Sequence, residues 1–433
     1  MAPPILWIKK QWNLKQNPFP AQGLARLGGD DDRENGLLFD PDVYSDKMLE
    51  SIEKFVLGAA YSGLKFAYLW SRGDALDQDA RGFGKSVLLQ HLTWYLNQDW
   101  GADAFARAGL DPSDAEEEPI CAVLTSFDTA GIGSLNAALF ASTEYATDFA
   151  HADEPTLAQR LRTRLVDIAG TDDDETLAEL VSAEYRKLRG RTFGPPDDEL
   201  VRALVHEDPN VARRLLDGVS GAKRTRSGTN YLATLLLLVR ATGIRHVLLA
   251  CDQLEDLASP NTPRQKRQRE TERFRDFCLE LLPMADMLTV VVTMHPRAEL
   301  AIREPWQLAD LPSYDTTAAN QNRVVVMRPM QDANEARRLL VAYLDPARAD
   351  AGEGGVSPFT DDAIAALYTR STRKPRDLLR KAWALIEKGA TDNWPKITAD
   401  LVAEHLDSLA GVDDDDAIIP TVGGPTSSPA WES

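Results

Sequence analysis

Cysteine is scarce in this 433-residue chain, since Cys121, Cys251 and Cys278 are an odd number and lie far apart. This pattern excludes a disulfide framework and a zinc site built on clustered cysteines, and it fits the reducing cytoplasm, where we expect the protein.

Long apolar runs are missing as well. The patch 1–10 is too short for a signal peptide, and the run 231–239 is too short for a membrane span. A basic excess is also absent. The net charge of −19 argues against a protein that coats nucleic acid by bulk electrostatics.

Apolar residues are plentiful in spite of these absences, at 43% of the chain, so sizeable cores can be buried. The length suggests two or three domains. Five short apolar runs alternate with helical patterns, and strands that are apolar throughout are typical of a parallel sheet with both faces covered. The predicted strands are 65–70, 120–126, 245–252, 287–293 and 323–327.

A glycine-rich stretch, 79–86, follows the first predicted strand and precedes a helical pattern over 87–96. Strand, glycine-rich loop, Lys-Ser and helix is the order that a phosphate-binding P-loop needs. Gly82 and Gly84 let the backbone turn its amides inward, and these amides and the helix N-terminus favour an anion. The stretch therefore predicts a nucleotide site.

Two side chains of this stretch carry the predicted chemistry. Lys85 is predicted to reach the β- and γ-phosphates, and the Ser86 hydroxyl is predicted to bind Mg²⁺. The alternative is a chance Gly-Lys-Ser at a helix start, because Asp79 replaces the first glycine of the usual pattern, and Asp74 and Asp77 add negative charge near a triphosphate. The predicted nucleotide-binding residues are Gly82, Phe83, Gly84, Lys85, Ser86 and Val87.

Polar residues also follow two later strands. Asp252 ends the third predicted strand, and the carboxyl end of a parallel strand opens onto the place where ligands bind. Asp252 is predicted to hold Mg²⁺, mostly through water, and Glu255 to polarise the attacking water. Thr293 ends the fourth strand and is predicted to orient this water or to contact the γ-phosphate. A surface aspartate after a core strand is the alternative for Asp252.

The chain divides into a lead-in segment, a core, a helical region and a tail. Phe19, Phe39 and Tyr44 of the lead-in segment are predicted either to pack near an adenine or to be simple core aromatics. The predicted boundaries are 1–60 for the lead-in segment, 61–330 for the core with a helical insertion over about 134–227, 331–410 for a helical lid, and 411–433 for an acidic disordered tail.

Two interpretations stay open for a basic run in the core. Because Glu270, Glu272 and Asp276 are interleaved with it, the run is typical of a solvated helix face with internal ion pairs. The other interpretation is a contact to a nucleic-acid backbone or to an acidic neighbour. The basic residues are Arg264, Lys266, Arg267, Arg269, Arg273 and Arg275.

Taken in order, these motifs resemble those of the AAA+ ATPases, and most closely the origin-recognition, ExeA and TniB/TnsC group. The likeness covers about residues 15–410 without the helical insertion. It implies an α/β P-loop NTPase fold of the AAA+/ASCE type, with a three-layer core around a parallel five-stranded sheet and a C-terminal helical lid. The residues that carry it are 82–86, 248–255, Thr293, 359–364 and 373–380.

The resemblance also assigns roles in the lid and at the strand ends. Lys374-Pro-Arg376 takes the place of the lid segment whose arginine contacts the γ-phosphate, so Arg376 is the predicted sensor 2. Thr293, or alternatively His295, takes the place of sensor 1. Gln253 follows Asp252 where many AAA+ proteins have glutamate. This form is similar to that of STAND proteins, in which nucleotide acts largely as a switch.

An arginine finger that reaches the γ-phosphate of a neighbouring subunit is implied as well. Arg303, Arg297 and Arg323 follow the sensor 1 strand in the sequence. All three are candidates, and Arg303 fits the topology somewhat better than Arg297 and Arg323. For each of these residues, an ordinary surface arginine is the alternative.

The resemblance thus implies a protein that binds ATP or ADP with Mg²⁺ and hydrolyses ATP. We expect a homo-oligomer or a subunit of a larger complex, with a protein partner favoured and DNA second, in a bacterial defence or mobile-element system, and no membrane contact. The alternative is a STAND-like nucleotide-bound scaffold with little hydrolysis. A small-molecule kinase shares the P-loop, but it does not account for Thr293 or Arg376.

Overall fold

The computed structural model describes residues 4–23, 31–58, 66–71, 82–126, 155–188, 198–206, 230–253, 263–281, 284–294, 303–304, 306–308, 310–312, 321–350 and 354–409. The predicted acidic tail, 411–433, lies outside the described residues.

Five parallel strands form one sheet, in the order β2-β3-β4-β1-β5. The strands are β1 (Phe66–Ser71), β2 (Ile120–Ser126), β3 (His246–Asp252), β4 (Leu288–Met294) and β5 (Val324–Met327). The predicted α/β class with five parallel strands is confirmed, and every predicted strand boundary agrees to within one residue.

Both faces of the sheet are buried, which explains why its strands are unbroken apolar runs in the sequence. Every residue of β1, β3 and β4 is buried. Along β1, Ala67 and Leu69 belong to one hydrophobic core, whereas Phe66, Tyr68 and Trp70 belong to another. This alternation has the two-residue period of a strand, so the sheet separates two cores.

Helices supply the rest of both cores. Within the described residues they are α1 (Pro4–Trp12), α2 (Ser45–Ser51), α3 (Lys85–Gln98), α4 (Ala102–Arg107), α5 (Asp114–Glu117), α6 (Leu157–Ala169), α7 (Asp174–Lys187), α8 (Asp198–Val205), α9 (Asn230–Ala241), α10 (Arg264–Glu280), α11 (Ala333–Leu344), α12 (Asp361–Arg370), α13 (Pro375–Asp392) and α14 (Ala399–Leu409). A 3-10 turn, Pro41–Tyr44, precedes α2, and a π-helical segment, Ile52–Leu57, continues it.

Helices α6 to α10 lie on the second face of the sheet. Leu161 of α6, Leu177 of α7 and Leu204 of α8 share one core with Leu236 of α9 and Val247 of β3. Helices α6, α7 and α8 each contact α9. The region predicted as a helical insertion therefore contributes, in its described part, to the layer that covers this face.

Helices α3, α1 and α11 to α14 share the core on the first face. The predicted helical region after the sheet thus consists of four helices in its described part. Thr360 is the N-cap of α12, since its side chain accepts a hydrogen bond from the backbone N–H of Ala363. Such a cap satisfies one of the amides that the first helical turn leaves unpaired.

Helix α1 packs against α13, although α1 begins the chain. The indole nitrogen of Trp7 donates to the carbonyl of Trp394 at 3.3 Å, and that of Trp12 donates to the carbonyl of Pro395 at 3.2 Å. A Cβ on Gly389 would lie 2.9 Å from the Trp12 ring, so glycine allows the close approach of the two helices. The start of the predicted lead-in segment is therefore in contact with the helical region.

Arg328 joins the end of β5 to α2 and α11. Its guanidinium donates to Asp46 at 2.7 Å and to Glu335 at 2.9 Å, and its carbon lies 5.3 Å from the centroid of the Tyr44 ring. Because a guanidinium donates to carboxylates in a fixed planar geometry, these contacts orient the first lid helix relative to the sheet.

Among the described helices, none combines the length and apolar character that crossing a bilayer requires.

His91 of α3 is a buried titratable side chain, with its ring centroid 6.4 Å from that of Phe39. Burial lowers its pKa from 6.5 to about 4, although hydrogen bonds with the backbone of Gly36 and Phe39 act in the opposite direction. The folded protein therefore holds this histidine neutral at mildly acidic pH.

We predict that His91 makes the fold less stable as the pH falls from about 6.5 to about 4. In this range the unfolded chain binds more protons at this position than the folded chain does. His91 therefore contributes about 3 kcal/mol to the free energy of unfolding above its ordinary pKa, and this contribution is progressively lost as the pH falls. His91→Gln retains a hydrogen-bond donor but does not titrate. Urea denaturation at about pH 7.5 and about pH 4.5 should show a larger loss for the wild type than for the variant. Equal losses would contradict a buried neutral histidine.

Candidate functional site

The carboxyl ends of three neighbouring strands bring polar side chains together at one edge of the sheet. β1 ends at Ser71, β3 ends at Asp252, and Thr293 is the last residue but one of β4. The strand register pairs Cys251 with Val292, so Asp252 and Thr293, the residues that follow them, lie side by side. Ligands bind at this edge in open parallel sheets.

A left-handed glycine turn leads into α3. Gly82 has a φ of 82° and Gly84 a φ of 87°, and only glycine adopts such angles at little cost. Gly84 directly precedes α3. The described part of the predicted P-loop therefore has the strand, turn and helix context that the prediction requires. Asp79 lies outside the described residues.

Lys85 extends from the first turn of α3 toward the end of β1. Its side chain is buried, with the residue 8% exposed, and its Nζ donates to Ser71 Oγ at 3.1 Å. Burying an ammonium group is costly unless it is paired with polar or charged groups. A cation held at this edge of the sheet can thus attract an anionic ligand. Ser86 is half-buried and Val87 is buried in the same helical turn.

Thr293 fixes the backbone that follows Asp252. Its Oγ1 accepts a hydrogen bond from the backbone N–H of Gln253 at 3.0 Å. Gln253 has a φ of 57°, and a left-handed conformation costs a residue with a Cβ about 1–2 kcal/mol. The hydrogen bond holds this turn in place, while Asp252 is only 1% exposed. Thr293 therefore orients Asp252 and Gln253, a contact that the sequence did not predict.

The lid meets the glycine turn at Arg376, in the first turn of α13. The backbone N–H of Arg376 donates to the carbonyl of Gly82 at 3.3 Å, and its Nε donates to the carbonyl of Gln22 at 3.4 Å. Lys374 Nζ lies 5.1 Å from the centroid of the buried Phe83 ring. The arginine predicted as sensor 2 thus lies in contact with the predicted phosphate loop.

Two glycines admit Arg376 because they lack a Cβ. A Cβ on Gly23 would lie 2.2 Å from the carbonyl oxygen of Arg376, and a Cβ on Gly82 would lie 2.7 Å from Arg376 Cβ. The sequence predicted Gly82, but it did not predict Gly23, Gln22 or Ser71. Gln22 and Gly23 lie in a polar stretch that does not reveal a contact with Arg376, 354 positions after Gln22. Ser71 directly follows a predicted apolar strand, and its partner Lys85 is only 14 positions away.

Two of the three aromatic candidates lie beside the glycine turn. A Cβ on Gly84 would lie 3.6 Å from the Phe39 ring and 3.8 Å from the Tyr44 ring. Phe19 instead packs with two aromatic rings of the C-terminal region, each with its centroid 6.2 Å away. Phe19 is therefore a core aromatic of the lid, as the second of the two interpretations stated.

Of the other predicted residues, three cannot be placed and two are described. Glu255, His295 and Arg297 lie outside the described residues. Arg303 is exposed. Arg323 directly precedes β5 and thus lies toward the opposite edge from the strand ends.

The predicted metal ligands, Ser86 and Asp252, both supply oxygen, the donor that Mg²⁺ prefers. Within the part of the chain that the structure describes, no group of three or more histidine, cysteine, aspartate or glutamate side chains could hold a metal ion. The two residues therefore fit an ion that takes most of its ligands from phosphate oxygens and water.

The described thiols next to the sheet are not nucleophiles. Burial raises the pKa of Cys121 to about 12 and that of Cys251 well above its ordinary value. Because the thiolate is the reactive form, these two thiols do not supply a nucleophile to this edge.

No protein-family model matches the chain, and no curated protein sequence matches it either. A function for the site therefore has to be inferred from its own residues and geometry.

We predict that Gly82→Ala destabilises the protein more than Gly243→Ala does. Both glycines have a positive φ, 82° and 75°, so both variants lose about 1–2 kcal/mol from backbone strain. Only the Cβ at position 82 meets another residue, Arg376, since nothing lies within 4 Å of a Cβ at position 243. We expect a further cost of about 1–3 kcal/mol from this overlap. Urea denaturation of both variants measures the difference, and equal losses would contradict the contact between the turn and the lid.

Proposed function

We propose that the chain is an ATP-binding protein of the AAA+ type, a switch or motor that acts on a macromolecular partner. The observation that carries this proposal is the buried Lys85 ammonium group, 3.1 Å from Ser71 Oγ. It follows a left-handed glycine turn and lies at the edge where Asp252 ends β3 and Thr293 is the last residue but one of β4. A cation and the backbone amides of a helix start at such an edge suit the phosphates of a nucleotide.

In this proposal, residues 82–87 bind the nucleotide. The backbone amides after the glycine turn and Lys85 neutralise the β- and γ-phosphates. Ser86 and Asp252 hold Mg²⁺, which supplies further positive charge next to the phosphates when it is bound. Phe39 and Tyr44, beside Gly84, limit the space on one side of the turn.

Hydrolysis is proposed to depend on Glu255. The carboxylate polarises a water molecule whose oxygen attacks the γ-phosphorus, while the bond from this phosphorus to the bridging oxygen breaks, giving ADP and phosphate. Thr293 orients the turn that leads to Glu255. Arg376 reports the state of the γ-phosphate to the lid. Arg303 or Arg297 of a neighbouring subunit is the candidate for the arginine finger.

A second candidate function is a nucleotide-bound scaffold with little or no hydrolysis. Gln253 favours it, because this residue follows Asp252 and cannot act as a base. In either case we propose a cytoplasmic oligomer or complex subunit with a protein effector or DNA as its partner, in a bacterial defence or mobile-element system.

We predict that Lys85→Ala weakens ATP binding by about 10- to 100-fold. Removing one charge-assisted contact to phosphate costs about 1.5–3 kcal/mol. Lys388→Ala is the matched control, because it removes the same charge from an exposed helical lysine that is paired with Asp392 at 3.1 Å. Titration of a fluorescent ATP analogue measures both. Unchanged affinity in the Lys85 variant would contradict the proposed site.

We predict that Glu255→Gln abolishes ATP turnover but leaves ATP bound, since the amide cannot take a proton from water. Gln253→Asn is the control, because asparagine tolerates the left-handed backbone of this position, and it should retain turnover. Phosphate release and nucleotide affinity are measured for both variants. If the wild type binds ATP but releases no phosphate, even with DNA and candidate partner proteins present, the scaffold function replaces the motor.

A further inference from the structure

Helix α10 carries three cations on one side, Lys266, Arg269 and Arg273, which we name the cationic row. Their spacing of three and four residues aligns them along the helix, over about 10 Å at 1.5 Å per residue. The side chains of Arg269 and Arg273 are 61% and 42% exposed, and Lys266 is exposed as well. The row is therefore accessible to a ligand.

The charge of this helix opposes that of the rest of the protein. Residues 264–276 contain six basic and three acidic side chains, whereas the whole chain has a net charge of −19. The first turn of α10 has no acidic residue but contains Arg264, Lys266 and Arg267. Cations near a helix N-terminus oppose the helix dipole at a cost of about 0.3–1 kcal/mol each. A local arrangement that lowers stability is expected where it serves binding.

The buried Glu270 forms ion pairs with two members of the cationic row, Arg269 and Arg273. Its side chain is only 4% exposed, and it accepts a hydrogen bond from Arg273 Nη1 at 2.8 Å. The same oxygen lies 3.7 Å from Arg269 Nε. One buried carboxylate thus orients two guanidinium groups and leaves the row with a net positive charge. Orientation in advance lowers the entropic cost of binding.

The row begins near the proposed nucleotide edge. Helix α10 connects β3 to β4, and because these strands are parallel, the helix must run back from their carboxyl ends to their amino ends. Phe274 and Phe277 of this helix are buried, and the Phe274 ring lies 6.2 Å from that of Phe66 at the start of β1. The row consequently starts on the Asp252 side of the protein.

We propose that the cationic row binds the phosphate backbone of a nucleic acid without reading its sequence. Arginine donates two parallel hydrogen bonds to a phosphate, and phosphate contacts position a protein without specifying bases. A length of about 10 Å matches about three phosphates of one strand at 3.4 Å each. No apolar residue lies between the cations of the row, and the polar Gln268 and Glu272 are half-buried there, so the row lacks the apolar centre that a protein interface has. The proposed function leaves the macromolecular partner open between a protein and DNA, and here the partner is a nucleic acid. The inference rests on the proposed function in this one respect.

The test measures binding of fluorescein-labelled DNA, as a duplex and as a single strand of about 30 nucleotides, at several salt concentrations without ATP. Three phosphate contacts predict that the affinity for duplex falls about 40-fold between about 50 and 200 mM salt. The variant Lys266→Gln/Arg269→Gln retains the Arg273 pair with Glu270, so the buried carboxylate stays compensated. This variant should bind more weakly, and its affinity should fall only about 3- to 4-fold over the same range.

The matched control is Arg186→Gln/Lys187→Gln on α7, which removes two exposed cations that are paired with Glu179 and Glu184 of their own helix. It should bind DNA as the wild type does. The inference is overturned if the wild type does not bind DNA, if both double variants bind equally, or if the row variant loses self-association in sedimentation while its DNA affinity is unchanged. ATP binding is titrated separately. DNA binding without ATP binding would refute the proposed function alone, and ATP binding without DNA binding would refute this inference alone.

Discussion

Burial of both faces of a parallel sheet is the constraint on which the other features of this protein depend. Because each central strand is buried along its whole length and mostly apolar, polar side chains are concentrated near the ends of the strands. Parallel strands all end at the same edge, so Ser71, Asp252 and Thr293 come together although they are far apart in the sequence. Lys85 then reaches this edge from the first turn of the helix that follows β1. The site is thus a consequence of the layering of the fold.

The sequence predicted the elements of this arrangement well. Unbroken apolar runs located all five strands, and Gly82 and Gly84 located a turn that requires left-handed backbone. These features are local, since each depends on the periodicity or the conformational freedom of a short segment.

Contacts between distant segments were beyond such reasoning. The order of the strands, the packing of α6 to α8 over the second face and the approach of Gly23 to Arg376 all depend on pairs of residues that have no common local pattern. Gln253 is a further example, because its left-handed φ is maintained by a hydrogen bond to Thr293, 40 residues later. Sequence periodicity identifies which face of an element is buried, but it does not identify the partner that covers this face.

The lid is attached to the rest of the protein at three separate places. Arg328 fixes its first helix to α2, Arg376 contacts the glycine turn, and α1 packs on α13. The four C-terminal helices are thus in contact with the sheet side, with the glycine turn and with the N-terminal segment at the same time. A change at the glycine turn therefore alters one of three sets of contacts that hold these helices.

The packing of α1 on α13 also sets an order for the folding of the chain. Trp7 and the residue that accepts its hydrogen bond, Trp394, are 387 positions apart. A helix of nine residues is only marginally stable by itself in water, and Trp12 and Ile8 would leave apolar surface exposed until α13 is present. At about 5–20 residues per second, translation would leave this segment without its partner for roughly 20–80 s. The α1 segment would then be made long before it reaches its final place, so that during synthesis it would be available to chaperones or to unwanted association.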